Sequence, residues 1–180
     1  MRDETREGDP GELRVLGLDP GSRFTGWGCV AVAGSRSQLL GCGRIALDPG
    51  EPLPRRLATL QVEVGLVVER FAPRVAVLEE PFHGVNARSL IVLAQARGAL
   101  LAALALRTIE IAELTPAEVK SAVTGNGRAD KQQVARMVAM LLPGARDLAA
   151  DASDALAVAL GYASRRPLLA AAQRASAHAR

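Results

Sequence analysis

Four carboxylates in three separated segments carry the chemistry of this chain. Asp19 ends the apolar run Arg14-Val-Leu-Gly-Leu, Glu79 ends Arg74-Val-Ala-Val-Leu, and Asp151 and Asp154 stand three apart in Ala149-Ala-Asp-Ala-Ser-Asp-Ala-Leu. The first two runs read as buried strands, and an acid at the last position of a buried strand is desolvated without an evident partner. The last pair lies one helical turn apart, so both acids leave the same helix face and repel each other. A hard divalent cation resolves all three conflicts. Such ions take oxygen ligands, and Mg²⁺ in particular is held by a few carboxylates together with substrate phosphates. The pattern therefore points to metal-dependent chemistry on phosphodiesters.

Charge supports a polyanionic substrate. The first twelve residues hold five acids and two arginines, which leaves 20 Lys and Arg against 14 Asp and Glu, or +6, on the other 168. A basic body around a cluster of acids suits a nucleic acid whose scissile phosphate meets a metal. Among 22 cationic side chains only Lys120 and Lys131 are lysines. Where arginine serves nearly everywhere else, these two mark positions for a compact ammonium that approaches one phosphate oxygen as a point charge. No apolar run nears the ~20 residues of a membrane span. The polar, acidic amino terminus lacks a signal-peptide pattern. Cys29 and Cys42 lack metal-site spacing and read as reduced thiols. These features predict a cytoplasmic protein without a membrane partner.

The elements that must position the acids are legible in outline. Residues 1–13, polar and rich in Gly, Pro and acid, read as a disordered leader. Strands are expected over 14–19, 25–33, 38–47, 74–79 and 108–113. A helix should open at Pro52 and Pro54 and run to about 70, and another from Asn86, as N-cap, to Leu106. Thr115-Pro-Ala-Glu118 is a capping box with proline at the first helical position, and Asp130-Lys-Gln-Gln133 follows the same logic. Asp151 should begin a last helix ending near Ala163, leaving 164–180 as a frayed helix or a basic tail. Three sequential strands and then alternating helices and strands imply an α/β mixed sheet with helices on both faces. With the first and fourth strands parallel neighbours, Asp19 and Glu79 fall at one sheet edge, where open α/β sheets bind ligands. The glycines of Asp19-Pro-Gly-Ser-Arg-Phe-Thr-Gly-Trp-Gly would let a backbone come close, as in the turns with which actin-like ATPases and sugar kinases cradle phosphate.

Four blocks together resemble RuvC, the bacterial Holliday junction resolvases: VLGLDPGSRFTGWG; LEEPF followed by NARSLIVLAQARGALLAAL; TPAEVKSAVTGNGRADKQQVARMV; and ADASDALAVAL. They cover residues 14 to 163 in the family's order and spacing. The resemblance implies an RNase H-like fold with a five-stranded mixed sheet, with 14–163 as the nuclease domain. It implies a homodimer that uses Mg²⁺, two ions per subunit with Mn²⁺ able to substitute, to make paired symmetric incisions in four-way DNA junctions. A branch-migration helicase complex of the RuvA and RuvB type is the implied partner. Residue by residue, Asp19, Glu79, Asp151 and Asp154 match the family's catalytic metal ligands. Lys120 and Lys131 match its basic DNA-contact positions, and Phe82 the aromatic set against unpaired bases. His-Gly-Val stands between Phe82 and Asn86 where relatives often carry a basic residue, so DNA contact there would shift to Arg88 or Arg23, or depend on His83. The acidic leader is not part of the family pattern.

The helix over 86–106 is expected to form the dimer surface. Its apolar residues, among them Leu90, Ile91, Leu93, Ala94, Leu100, Leu101 and Leu104, spread more than half way round, wider than one core-facing stripe. Competing readings fit less well. An actin-like phosphotransferase needs a second domain, and a non-catalytic junction-binding module has no use for four converging acids. A related RNase H-like anti-resolvase would share the first strand motif but not the Asp151/Asp154 helix with both lysines.

Overall fold

A computed structural model describes residues 12–80 and 87–178, with the backbone alone at 87–88 and 166–178. The chain runs β1 (Leu13–Asp19), β2 (Phe24–Ala33), β3 (Arg36–Ala46), α1 (Leu53–Phe71), β4 (Val75–Glu79), α2 (Ala87–Ala105), β5 (Glu110–Leu114), α3 (Pro116–Thr124), α4 (Lys131–Leu141) and α5 (Ala150–His178). The strands form one sheet in the order β3-β2-β1-β4-β5. β1, β2 and β3 are antiparallel neighbours, whereas β1, β4 and β5 run parallel. The expected mixed sheet, with the first strand beside the fourth, is present.

Strand alternation divides the core into two layers. Leu13, Val15, Val30, Val75 and Val77 pack against α3, α4 and α5. Leu16, Leu18, Cys29, Ala76 and Leu78 pack against α1 and α2. Asp19 and Glu79 continue the odd-numbered series of their strands, which assigns both to the α5 side of the sheet. An acid placed one residue earlier or later would face the other helices.

Helix α5 lies unusually close to the strands. A Cβ at Gly26 would stand 1.9 Å from the Asp151 carbonyl oxygen, and one at Gly17 would stand 2.0 Å from that of Ala155. The backbone that these glycines admit is therefore the chain's own helix, not a ligand phosphate. Because Gly26 is the register partner of Asp19, this contact brings Asp151 beside the end of β1.

Two helices differ from expectation. Within α2, Leu100 and Leu104 are fully buried against the chain's own core, with Ala96 and Ala103. They cannot serve a partner surface, and a charge at Leu100 would unfold the chain rather than split a dimer. The outward face carries Leu90, Ile91 and Ala94, while Leu93 and Leu101 are half-buried. Helix α5 does not stop near Ala163 but continues to His178. Its Ala-rich sequence favours the helix, and Arg165 pairs with Glu118 at 2.7 Å, tying it to the start of α3. Asn86, expected to cap α2, lies outside the described residues. Among the described residues no helix is long and apolar enough to cross a membrane.

Gly26→Ala should displace α5 from the sheet, since the obstructing atom is backbone and cannot rotate away. The expected outcome is a loss of roughly 1–3 kcal/mol in denaturant unfolding, together with loss of any activity that needs Asp151 and Asp154 beside Asp19.

Candidate active site

The site stands at the end of β1 and β4. Asp19 and Glu79 close these strands, and Asp151 lies in the first turn of α5, where the helix dipole favours an acid. Asp154 follows one turn later. All four acids are half-buried. Burial, together with the charges of Asp154 and Glu79, pushes the Asp19 carboxyl up from 3.8 to about 7; Lys131 opposes the rise and Asp151 adds to it. Burial and then Asp154 raise Glu79 as well, against the lowering influence of Lys131 and Lys120. The acids thus share one electrostatic field. Among the described residues no three acids, histidines or cysteines are gathered tightly enough to enclose a metal ion.

Both lysines are set by capped helices. Thr115 caps α3: its Oγ1 accepts from the Glu118 N–H at 3.2 Å, and its own N–H donates to Glu118 Oε2 at 2.8 Å. Lys120 follows in the second turn. Asp130 caps α4 by the same exchange with Gln133, at 2.8 and 2.9 Å, and this fixes Lys131 as the first helical residue. Lys131 Nζ donates to Asp154 Oδ2 at 3.0 Å, the lysine 83% and the aspartate 26% exposed. That hydrogen bond, and then the charge of Asp154, raise the lysine's pKa. A pair this exposed is worth at most about 1 kcal/mol, so Lys131 can exchange Asp154 for a phosphate at little cost.

The other residues singled out in the sequence are less gathered. Arg23 is exposed in the turn after Asp19, and Glu80 is exposed beyond the end of β4. Phe82 and His83 lie outside the described residues, and Arg88 is described in its backbone alone, on the first turn of α2. Arg97 received no role from the sequence, yet it lines the cleft that holds Asp19, Pro20 and Glu79, a space of about 190 Å³. Its signal was present: an arginine within the apolar length of α2.

A five-stranded mixed sheet with acids closing its first and fourth strands, and a helix that lays two more beside them, defines an RNase H-like nuclease domain. A family model described as crossover junction endodeoxyribonuclease RuvC matches residues 15–162. The RuvC protein of Xanthobacter autotrophicus is 46% identical over 93% of this chain and 99% of its own. That of Gluconacetobacter diazotrophicus is also 46% identical, over 93% and 98%. The solved structure of Thermus thermophilus RuvC in complex with a Holliday junction substrate superposes with a TM-score of 0.81 at 31% identity, covering 87% of this chain and 96% of that one. The chain belongs to the RuvC family of crossover junction endodeoxyribonucleases.

The raised Asp19 carboxyl makes a stability prediction. An acid whose folded value lies above its unfolded one favours the folded state fully below the unfolded value of 3.8, and that contribution is lost as pH rises through about 7. Asp19→Asn imitates the neutral carboxyl. In chelator at pH 8 the variant should be more stable than wild type, on the order of 4 kcal/mol, with the gap closing towards pH 4. Urea unfolding at both pH values checks this; equal stability at pH 8 would contradict it.

Proposed function

We propose that this chain resolves Holliday junctions by paired, symmetric hydrolysis of phosphodiester bonds in opposed strands, in homologous recombination and DNA repair. The observation that supports this most is that Asp19 and Glu79 close neighbouring strands where α5 brings Asp151 against Gly26, the register partner of Asp19. The Thermus relative's complex with a Holliday junction supports the same substrate here.

The donor set fits a hard divalent cation. It is made of carboxylate oxygens, and a cation would relieve both the burial of Asp19 and its repulsion by Asp154 and Glu79. Asp19, Glu79, Asp151 and Asp154 would hold Mg²⁺, two ions per subunit, with Mn²⁺ able to substitute. When bound, such ions supply an activated water and neutralise charge on the leaving oxygen. The chain's own groups do the rest. Asp19, which feels the charges of Glu79 on β4 and of Asp154 and Asp151 on α5, would be the acid common to the set. Lys131 is poised to leave Asp154 for the scissile strand, and Lys120 stands near Glu79 to hold the same backbone, positioning rather than specifying. Arg23 and Arg88 would extend the contact along the arms, and Phe82 would stack on unpaired bases at the junction centre.

Two opposed cuts in a two-fold substrate need two sites at fixed separation, which a two-fold dimer provides. The outward face of α2, with Ile91 59% exposed, is the surface we assign to it. The nuclease domain would run from Leu13, the first residue of β1 and one earlier than expected, to 163, with 1–12 as a leader and 164–180 as a basic extension. A cytoplasmic location and a branch-migration helicase complex of the RuvA and RuvB type complete the reading.

Asp19→Asn, Glu79→Gln and Asp154→Asn should each abolish incision of a synthetic four-way junction in Mg²⁺, with gel-shift affinity within about threefold of wild type. Affinity that falls in step with cleavage would contradict separate roles for acids and cations. Ile91→Glu should sediment as a folded monomer that still binds junctions weakly but makes uncoordinated single nicks. A wild-type protein that sediments as a monomer both free and on junction DNA would remove the geometric basis for paired cutting.

A further inference from the structure

The carbonyl of Glu79 lacks its natural partner in the sheet. The even-numbered residues that flank β4 bond to β5 at its two ends: the Glu80 N–H donates to the Leu114 carbonyl at 2.8 Å, and the Arg74 carbonyl accepts from the Glu110 N–H at 3.3 Å, while the Arg74 N–H, ahead of the strand, donates to Arg14 on β1. Residue 79 therefore turns its backbone towards β1. In the parallel register Leu18↔Leu78, the N–H that would meet the Glu79 carbonyl belongs to residue 20. That residue is Pro20, which has none. The ladder thus fails at the position where a candidate metal ligand must be held, and an unpaired carbonyl there would leave the end of β4 free to shift.

Arg97 supplies the missing donor from α2. Its Nη1 donates to the Glu79 carbonyl at 2.9 Å, and its Nη2 pairs with Glu113 Oε1 on β5 at 2.5 Å. The side chain is only 12% exposed. One planar fork therefore joins α2, the end of β4 and β5, with two donors in fixed directions that a lysine ammonium could not reproduce. We propose that Arg97 is a positioning residue for the metal site: it holds the last residue of β4, and through it the Glu79 carboxylate, in place of the N–H that Pro20 cannot give. Its hydrogen bond and its ion pair go to the Glu79 carbonyl and to Glu113, not to a carboxylate of the acid cluster. Its charge is directed at Glu113 rather than at the acid cluster. The inference rests on the reading of Glu79 as a metal ligand.

The test compares Arg97→Lys, Arg97→Met and Glu79→Gln as full-length proteins, with circular dichroism and melting as controls for folding. Mn²⁺ binding is followed by calorimetry, junction binding by gel shift in Ca²⁺, and incision across a Mn²⁺ titration. For Arg97→Lys we expect Mn²⁺ affinity to fall 10–100-fold, the range seen when a group supporting a ligand is removed. Junction affinity should stay within about threefold, and high Mn²⁺ should restore most of the incision rate. Arg97→Met should show at least the same loss; if it fails to fold, Arg97→Lys alone decides. Unchanged Mn²⁺ affinity in folded Arg97→Lys, or a slower rate that no Mn²⁺ concentration restores, would overturn the positioning role. The underlying reading fails separately, if Glu79→Gln binds Mn²⁺ and cuts as well as wild type.

Discussion

Everything in this molecule depends on how closely α5 approaches the backbone of β1 and β2. A helix normally packs on a sheet through side chains of both. Here the strand side chains are missing at Gly17 and Gly26, and the carbonyls of Ala155 and Asp151 lie where Cβ atoms would be. That contact is sealed below by Leu156, Val158 and Ala159, all fully buried against Val15, Val30 and Val77. The apolar layer anchors the helix, and its first two turns then bring Asp151 and Asp154 to the ends of the strands. Strand parity sets Asp19 and Glu79 on the same side. Among the described residues the four acids sit on strand ends and on a helix, which suits chemistry that requires fixed geometry.

The arrangement stores electrostatic tension. Burial and then like charges raise Asp19 and Glu79; among the described residues Lys131 opposes this at both acids and Lys120 at Glu79. Capping places both lysines by local means, through side chains that satisfy the first N–H groups of α3 and α4. A fold stabilised by two apolar layers can carry a destabilising cluster at its edge, the usual exchange of stability for function at active sites.

Most of this was legible in the sequence because the signals are local. An acid at the end of a buried run, a Thr-Pro-x-Glu box and two acids three apart each report their own surroundings. The long-range facts were not legible. Helix α2 is apolar nearly all round, so periodicity could not tell that Leu100 and Leu104 face inward and Ile91 and Ala94 outward. Glycines after Asp19 announced a close backbone without saying that it was α5. Arg97 gains its place only from two non-local facts, the β1–β4 register that meets Pro20 and the packing of α2 beneath β4. The full length of α5 was not legible either, because the pairing of Arg165 with Glu118 is itself a tertiary contact.

Catalysis as described requires that the strand-borne and helix-borne acids act as one ligand set. Anomalous diffraction from crystals of the full chain grown with saturating Mn²⁺ at pH 8 measures this directly. A shared ligand set predicts manganese peaks bounded by the carboxylates of Asp19, Glu79 and Asp154, with Lys131 withdrawn from Asp154. Manganese found only away from these residues, with the Lys131–Asp154 pair intact and Asp19 unliganded, would contradict it.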